Sequence, residues 1–258
     1  MTTEIKLTKE IARKVLKVVD AGLVNGLGEA KEGKMCVEAA VCFALGLPHG
    51  DNPPCVGHAV RSFKIALNDC KWPSDIARTK GMRKLAIAQL GSNEIDQEKF
   101  LEIIGFKCMT RILPVILQNS ISEDEGKPIV AKIAGQLRDA IKELKAAKNF
   151  KEAKIAAEKT RDIYWGNASA YAYASASAYA YASAYAYASA SAYAYAYAYA
   201  YAYAYAYASA YASASVYAYV EKNVDFNHKI LKMTSECGLE ALIELKSPGS
   251  KWLDLCEK

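Results

Sequence analysis

The chain has 258 residues, 52% of them apolar and 24% charged, with a formal net charge of +5. That is enough length and core-forming composition for one large or two modest domains. The basic surplus falls ahead of a long repeat and is spread over several segments, since residues 221–258 carry six Lys against seven Asp or Glu. A nucleic-acid footprint calls for a clustered basic patch, so the charge reads as a solvated surface and sets nucleic-acid binding aside.

Seven cysteines stand at irregular spacing, at 36, 42, 55, 70, 108, 237 and 256. The N-terminus MTTEIKLTKEIARK is polar and charged, unlike a signal peptide, and the expectation is a reduced cytoplasmic protein with mostly buried thiols. No purely apolar run of eighteen residues occurs outside the repeat, and the hydroxyls inside it argue against a membrane span.

Taken in chain order, the leading part reads as consecutive helices. Thr8 caps a first helix that keeps Ile11, Val15, Leu16, Val18, Val19 and Leu23 on one face. Asn25, Gly26 and Gly28 close it. A second, strongly apolar helix is expected from about Met35 to Leu45, stopped by Gly46 and the loop Pro48–Pro54. A third runs from near Cys55 to Asn68–Asp69, and Pro73-Ser74-Asp75 opens a fourth that ends before Gly91. Ser92 to Asp96 leads into FLEIIGFKCMTRILPVIL, helical with a bend at Pro114.

Pro128 opens the next helix, through Leu144. Asn149 with Glu152 three residues on has the form of a capping box for FKEAKIAAEKTRDIYW. Beyond the repeat, residues 221–246 give another helix ending at Ser247-Pro248-Gly249, and KWLDLCEK forms a last turn or two. The fold class is therefore all-α. The expected division is an N-terminal helical domain over 1–120, connecting helices over 121–166, the repeat over 167–220 and a C-terminal helix pair over 221–258.

From Ser169 to Tyr219 every odd-numbered residue is Tyr or Ser, and every even-numbered one is Ala except Val216. Period two is a strand signature. A single strand of that length would run about 165 Å, however, and no turn signal breaks it. Half the positions are Ala, the best helix former, so a low-complexity helix is the favoured reading and a β or fibre-like array the alternative. In a helix, tyrosines two apart decorate every side and need a surface to pack on. Tyr171, Tyr173, Tyr185, Tyr187, Tyr195, Tyr203 and Tyr211 sample that surface and are the candidate interaction residues. Stacking on single-stranded nucleic acid would want Lys or Arg among the rings, and the repeat has none.

The densest polar constellation is MCVEAAVCFALGLPHGDNPPCVGHAVRSF, residues 35–63. Cys55 and His58 stand one helical turn apart, and with Cys42 and His49 they could complete a tetrahedral Zn²⁺ site of the Cys₂His₂ type. No Cys-x-x-Cys pair supports it, and the competing reading is core thiols beside a turn at Pro48-His49-Gly50-Asp51. Cys36 at the start of an apolar helix, with His49 as base, would suit a thiol nucleophile. No Gly-rich phosphate loop, Ser-centred elbow or paired-carboxylate motif is present, so no catalytic residue is assigned.

The segment GKMCVEAAVCFALGLPHGDNPPCV, followed by VRSFKIALND and MRKLAIAQLGS, resembles a family of uncharacterised bacterial and phage-associated proteins. The resemblance covers residues 8–92 well, the repeat by composition, and the last thirty residues loosely, with LIELKSPGSKWLDL as the short closing helix. It implies a helical leading domain, Ala-rich tracts with recurring Tyr or Ser, and attention to His49, Asp51, Pro53 and Cys55. It implies no activity. The reading carried forward is a non-enzymatic structural or interaction protein that self-associates or docks a protein partner through the repeat, in a phage or mobile-element accessory role. Two alternatives stay open: a metal-dependent or thiol enzyme centred on Cys36–His58, and a fibrous or surface-organising protein using a Tyr/Ser array.

Overall fold

The computed structural model describes residues 6–123, 128–165 and 224–257. Among the described residues there are nine α-helices and no strand, so the fold is all-α. The Ala-Tyr/Ser repeat, and with it every candidate interaction tyrosine, lies outside the described residues.

The chain divides into two compact units, one made of Met1–Leu101 together with Asp225–Lys258, the other of Glu102–Val224. This differs from the linear division expected above. The C-terminal helices do not stand as a separate pair but fold with the leading helices.

In the first unit, α1 (Lys9–Asp20) begins where Thr8 accepts from the Ile11 amide, and it buries Ala12, Val15, Leu16, Val18 and Val19. The stop signals after it do more than end a helix. Gly22, Gly26, Gly28 and Gly33 all take positive φ, and they let residues 21–36 wrap back so that Leu23 and Gly28 each bridge Met35. At Gly28 any side chain would overlap the Lys34 carbonyl, which makes glycine obligatory there.

Helix α2 (Val37–Ala44) starts two residues later than the pattern suggests, because Cys36 supplies the cap: its sulfur accepts from the Ala39 amide. Helices α3 (His58–Asp69) and α4 (Asp75–Ala88) follow, α4 capped by Ser74. Helix α1 packs on α2 and α4, and α2 on α3.

The C-terminal elements close this unit. Helix α9 (Val224–Glu244) approaches α3 and α4 through small residues. A side chain at Gly238 would collide with the Phe63 ring, and Ser235 Oγ donates to the Gly81 carbonyl at 2.5 Å. A 3₁₀ helix, Pro248–Glu257, then lies against α4 and α1 and buries Trp252.

In the second unit the run around Pro114 changes its helical winding just ahead of the proline. Helix α5 (Gln97–Lys107), which begins in the first unit, passes into a π-turn over Cys108–Ile112 and then α6 (Leu113–Glu123). Proline has no N–H to give Thr110, and the wider turn puts the Leu113 amide on the Cys108 carbonyl just ahead of it. Helices α7 (Pro128–Ala146) and α8 (Phe150–Trp165) form a hairpin around Leu117, Ile133, Leu137, Leu144 and Ala153. The predicted capping box is present: the Glu152 amide donates to Asn149 Oδ1 at 3.0 Å. The Glu152 carboxylate reaches one residue further back than usual and takes the Lys148 amide at 2.8 Å.

Candidate functional site

The most unusual chemistry of the first unit is inside it. Glu38 on α2, Lys64 on α3 and Gln89 at the C-terminal cap of α4 are three polar side chains with no solvent exposure. Each sits in an apolar run, Glu38 within MCVEAAVC and Lys64 on the α3 stripe with Val60 and Leu67, so folding these helices together drags the polar groups into the core. Lys64 Nζ stands 2.9 Å from Glu38 Oε1, yet neither atom makes an aligned hydrogen bond. The Gln89 amide stands beside the same carboxylate, and neither its oxygen nor its nitrogen is aligned with a partner.

Desolvation dominates the electrostatics of the three. Burial pushes the Glu38 carboxyl up, against the pull of Lys64 and of Arg61, whose Nε is also buried. Burial pulls the Lys64 ammonium down, against Glu38. Both shifts run toward the neutral acid and the neutral amine, the state that avoids the cost of charge in a low-dielectric interior.

The cysteines picked out in the sequence surround this cluster. Cys36, Cys42 and Cys55 are buried, and burial is the largest influence on each thiol, raising Cys36 and Cys55 and taking Cys42 to about 11. At Cys36 the helix-cap hydrogen bond from Ala39 pulls the other way, as its position at a helix start suggests, but burial outweighs it. These are thiols at neutral pH, which argues against the nucleophile reading.

The four candidate zinc ligands are not gathered. Cys42 and Cys55 are in the core, whereas His49 is exposed with its Nε2 3.1 Å from the Gly28 carbonyl oxygen, and His58 is the exposed first residue of α3. Among the described residues no three His, Cys, Asp or Glu side chains form a group that could hold a metal ion.

The Pro48–Cys55 loop has structural duties instead. The Pro53 carbonyl accepts from Val56 at 3.0 Å, and the Cys55 carbonyl accepts from Gly91 at 3.0 Å, so the loop closes the far end of α4. The Leu-Asn-Asp that ends α3 is equally occupied. Buried Asn68 donates to the Val24 carbonyl at 2.9 Å and accepts from the Val37 amide at 3.4 Å, while Asp69 accepts from Gly26 at 2.8 Å. The Arg78 guanidinium caps the Asn68 carbonyl at 2.8 Å.

Comparison with protein-family models, curated proteins and solved structures finds no match to this chain. An open groove between α1 and the C-terminal 3₁₀ helix, lined by Arg13, Lys17, Asp20, Glu32 and Leu255, carries charges of both signs and selects no ligand class. No helix among the described residues is long and apolar enough to cross a membrane.

Glu38 falls within the polar constellation of residues 35–63, but neither it nor Lys64 nor Gln89 was a candidate site residue from the sequence. The signal was there: a lysine on the buried stripe of VRSFKIAL and a glutamine between Ala88 and Leu90 are polar residues where the helical period demands apolar ones.

Proposed function

We propose that the protein is a non-enzymatic structural or interaction protein that self-associates through its Ala-Tyr/Ser repeat. The observation that carries this reading is chain connectivity. The C-terminal helix α9 and the 3₁₀ helix after it belong to the same compact unit as the leading helices. The repeat is thus tethered to a folded helix on each side, α8 before it and α9 after it, and is not a free tail. A charge-free aromatic segment held at both ends is suited to meeting its counterpart on another copy, where the rings pack and their hydroxyls still reach water or a carbonyl.

The interior cluster supports the non-enzymatic side of the proposal. Glu38, Lys64 and Gln89 are sealed from solvent, so no external substrate reaches them. Seven free cysteines, five of them buried, fit a reduced cytoplasmic setting. The resemblance of residues 8–92 to phage-associated proteins suggests an accessory role in a phage or mobile element.

The test keeps the length of the repeat and changes its faces. Replacing Tyr171, Tyr173, Tyr185, Tyr187, Tyr195, Tyr203 and Tyr211 with Ser should lower the mass measured by light scattering while the helical circular dichroism of the folded units persists. An unchanged mass in that variant counts against the repeat as the association surface.

A further inference from the structure

Glu38 and Lys64 make a costly pair if they remain two separate side chains. They come from different helices, α2 and α3, and neither side chain has any solvent exposure. Lys64 Nζ stands 2.9 Å from Glu38 Oε1, yet Nζ and both carboxylate oxygens lack an aligned hydrogen bond. Natural interiors pair almost every such group, and an ion pair without supporting hydrogen bonds does not recover its desolvation cost. Nor can either partner swing out to solvent. Glu38 lies between buried Val37 and Ala39, and Lys64 follows Phe63, whose ring meets Phe100 edge-on at a centroid distance of 6.0 Å.

The same contact brings an amine onto a carboxyl carbon. Cδ of Glu38 is one carbon–oxygen bond, about 1.2 Å, from Oε1, so it lies within about 4.1 Å of Lys64 Nζ whatever the orientation of the group. Reacting atoms in a near-attack arrangement stand about 3–3.5 Å apart, so less than about 1 Å of side-chain movement closes the gap. We propose that Lys64 and Glu38 are joined by an intramolecular amide bond between Nζ and Cδ, which staples α2 to α3 inside the first unit.

The step balances without any outside reagent. The neutral Lys64 amine attacks Cδ of the protonated Glu38 carboxyl. A proton passes from Nζ to the hydroxyl oxygen of that carboxyl, the bond between Cδ and this oxygen breaks, and one water leaves. The Nζ–Cδ bond remains, and nothing is oxidised or reduced. Burial raises the Glu38 carboxyl and lowers the Lys64 ammonium, each toward the neutral form that the step consumes. Holding amine and acid on two packed helices turns a bimolecular encounter into a unimolecular one. The product is a neutral secondary amide, which removes both of the charges that are unfavourable in this interior.

The test is intact-mass spectrometry of the full-length protein under denaturing conditions, followed by peptide mapping. The expected result is a chain lighter by one water than its sequence requires, with a branched peptide joining Lys64 to Glu38. The double variant Glu38→Leu, Lys64→Met puts apolar side chains at both positions, an exchange that buried ion pairs commonly tolerate. It is expected to fold and to show the full mass of its own sequence. A native chain at full mass, with Lys64 and Glu38 recovered in separate peptides, overturns the proposal and leaves an ordinary buried ion pair. So does a loss of water that maps to other residues or that persists in the double variant.

Discussion

The amide of Gly249 donates a 2.6 Å hydrogen bond to the carbonyl of Leu90, and this contact fastens the C-terminal end of the chain to the end of α4. Ser247 reinforces it by donating its hydroxyl to the Ala88 carbonyl at 2.6 Å. A Cβ on residue 249 would overlap the Ile87 carbonyl oxygen and lie 2.9 Å from Leu90 N, all of it backbone that cannot step aside. Gly249→Ala should therefore cost about 3 kcal/mol in the first unit, read as a lower urea midpoint, as overpacking of a closed interior does.

Asn68 ties the wrapping segment to α3. Removing its amide leaves the Val24 carbonyl and the Val37 amide without their side-chain partner in a site where Asn68 itself has no exposure. Asn68→Ala should destabilise the first unit by about 2–4 kcal/mol in equilibrium unfolding. A Ser at the same position is expected to be little better, because it cannot span both partners.

How much of this was legible in the sequence depends on what kind of force was acting. The caps at Thr8, Ser74 and Asn149 are local chemistry, and local residue types announced them. Helix existence followed from period, and so did the all-α class. Cys36 as a cap was hidden, because a thiol is a poor acceptor and only burial of the apolar residues after it fixes its place. The joining of α9 to the leading helices was also hidden. It depends on Gly238 meeting Phe63 and on Ser235 meeting Gly81, contacts between residues some 150 or more positions apart that no window of sequence contains. The zinc set failed to assemble for a related reason: spacing put Cys55 and His58 one turn apart, but α3 starts at His58, leaving Cys55 in the loop before it.

Thiol reactivity gives a pH test. Burial takes Cys42 and Cys70 to about 11, above the ordinary 9.0 of a free thiol. In the native protein both should resist alkylation at neutral pH and react as the pH approaches that value, whereas the urea-unfolded chain should react near pH 9. The linkage has a definite sign: folded-state values above unfolded ones mean that the stability is whole below 9.0 and is lost as pH rises toward 11. A urea midpoint that stays flat from neutral pH to 11 would contradict the burial of these thiols.

The box that opens α8 gives the opposite sign. The Lys148 amide and the Asn149 side chain hold the Glu152 carboxyl below its ordinary 4.5. Its contribution is present above that value and fades as the pH drops below it. Asn149→Ala should cost the second unit about 1 kcal/mol at neutral pH, and should blunt the acid sensitivity of α8 measured by hydrogen exchange.

Sedimentation velocity on the full chain, run beside a form lacking residues 169–219, reaches the main claim most directly. Self-association through the repeat predicts a full chain that sediments as a concentration-dependent assembly and a shortened chain that sediments as a folded monomer. A full chain that stays monomeric at all concentrations, or a shortened chain that assembles just as well, would contradict it.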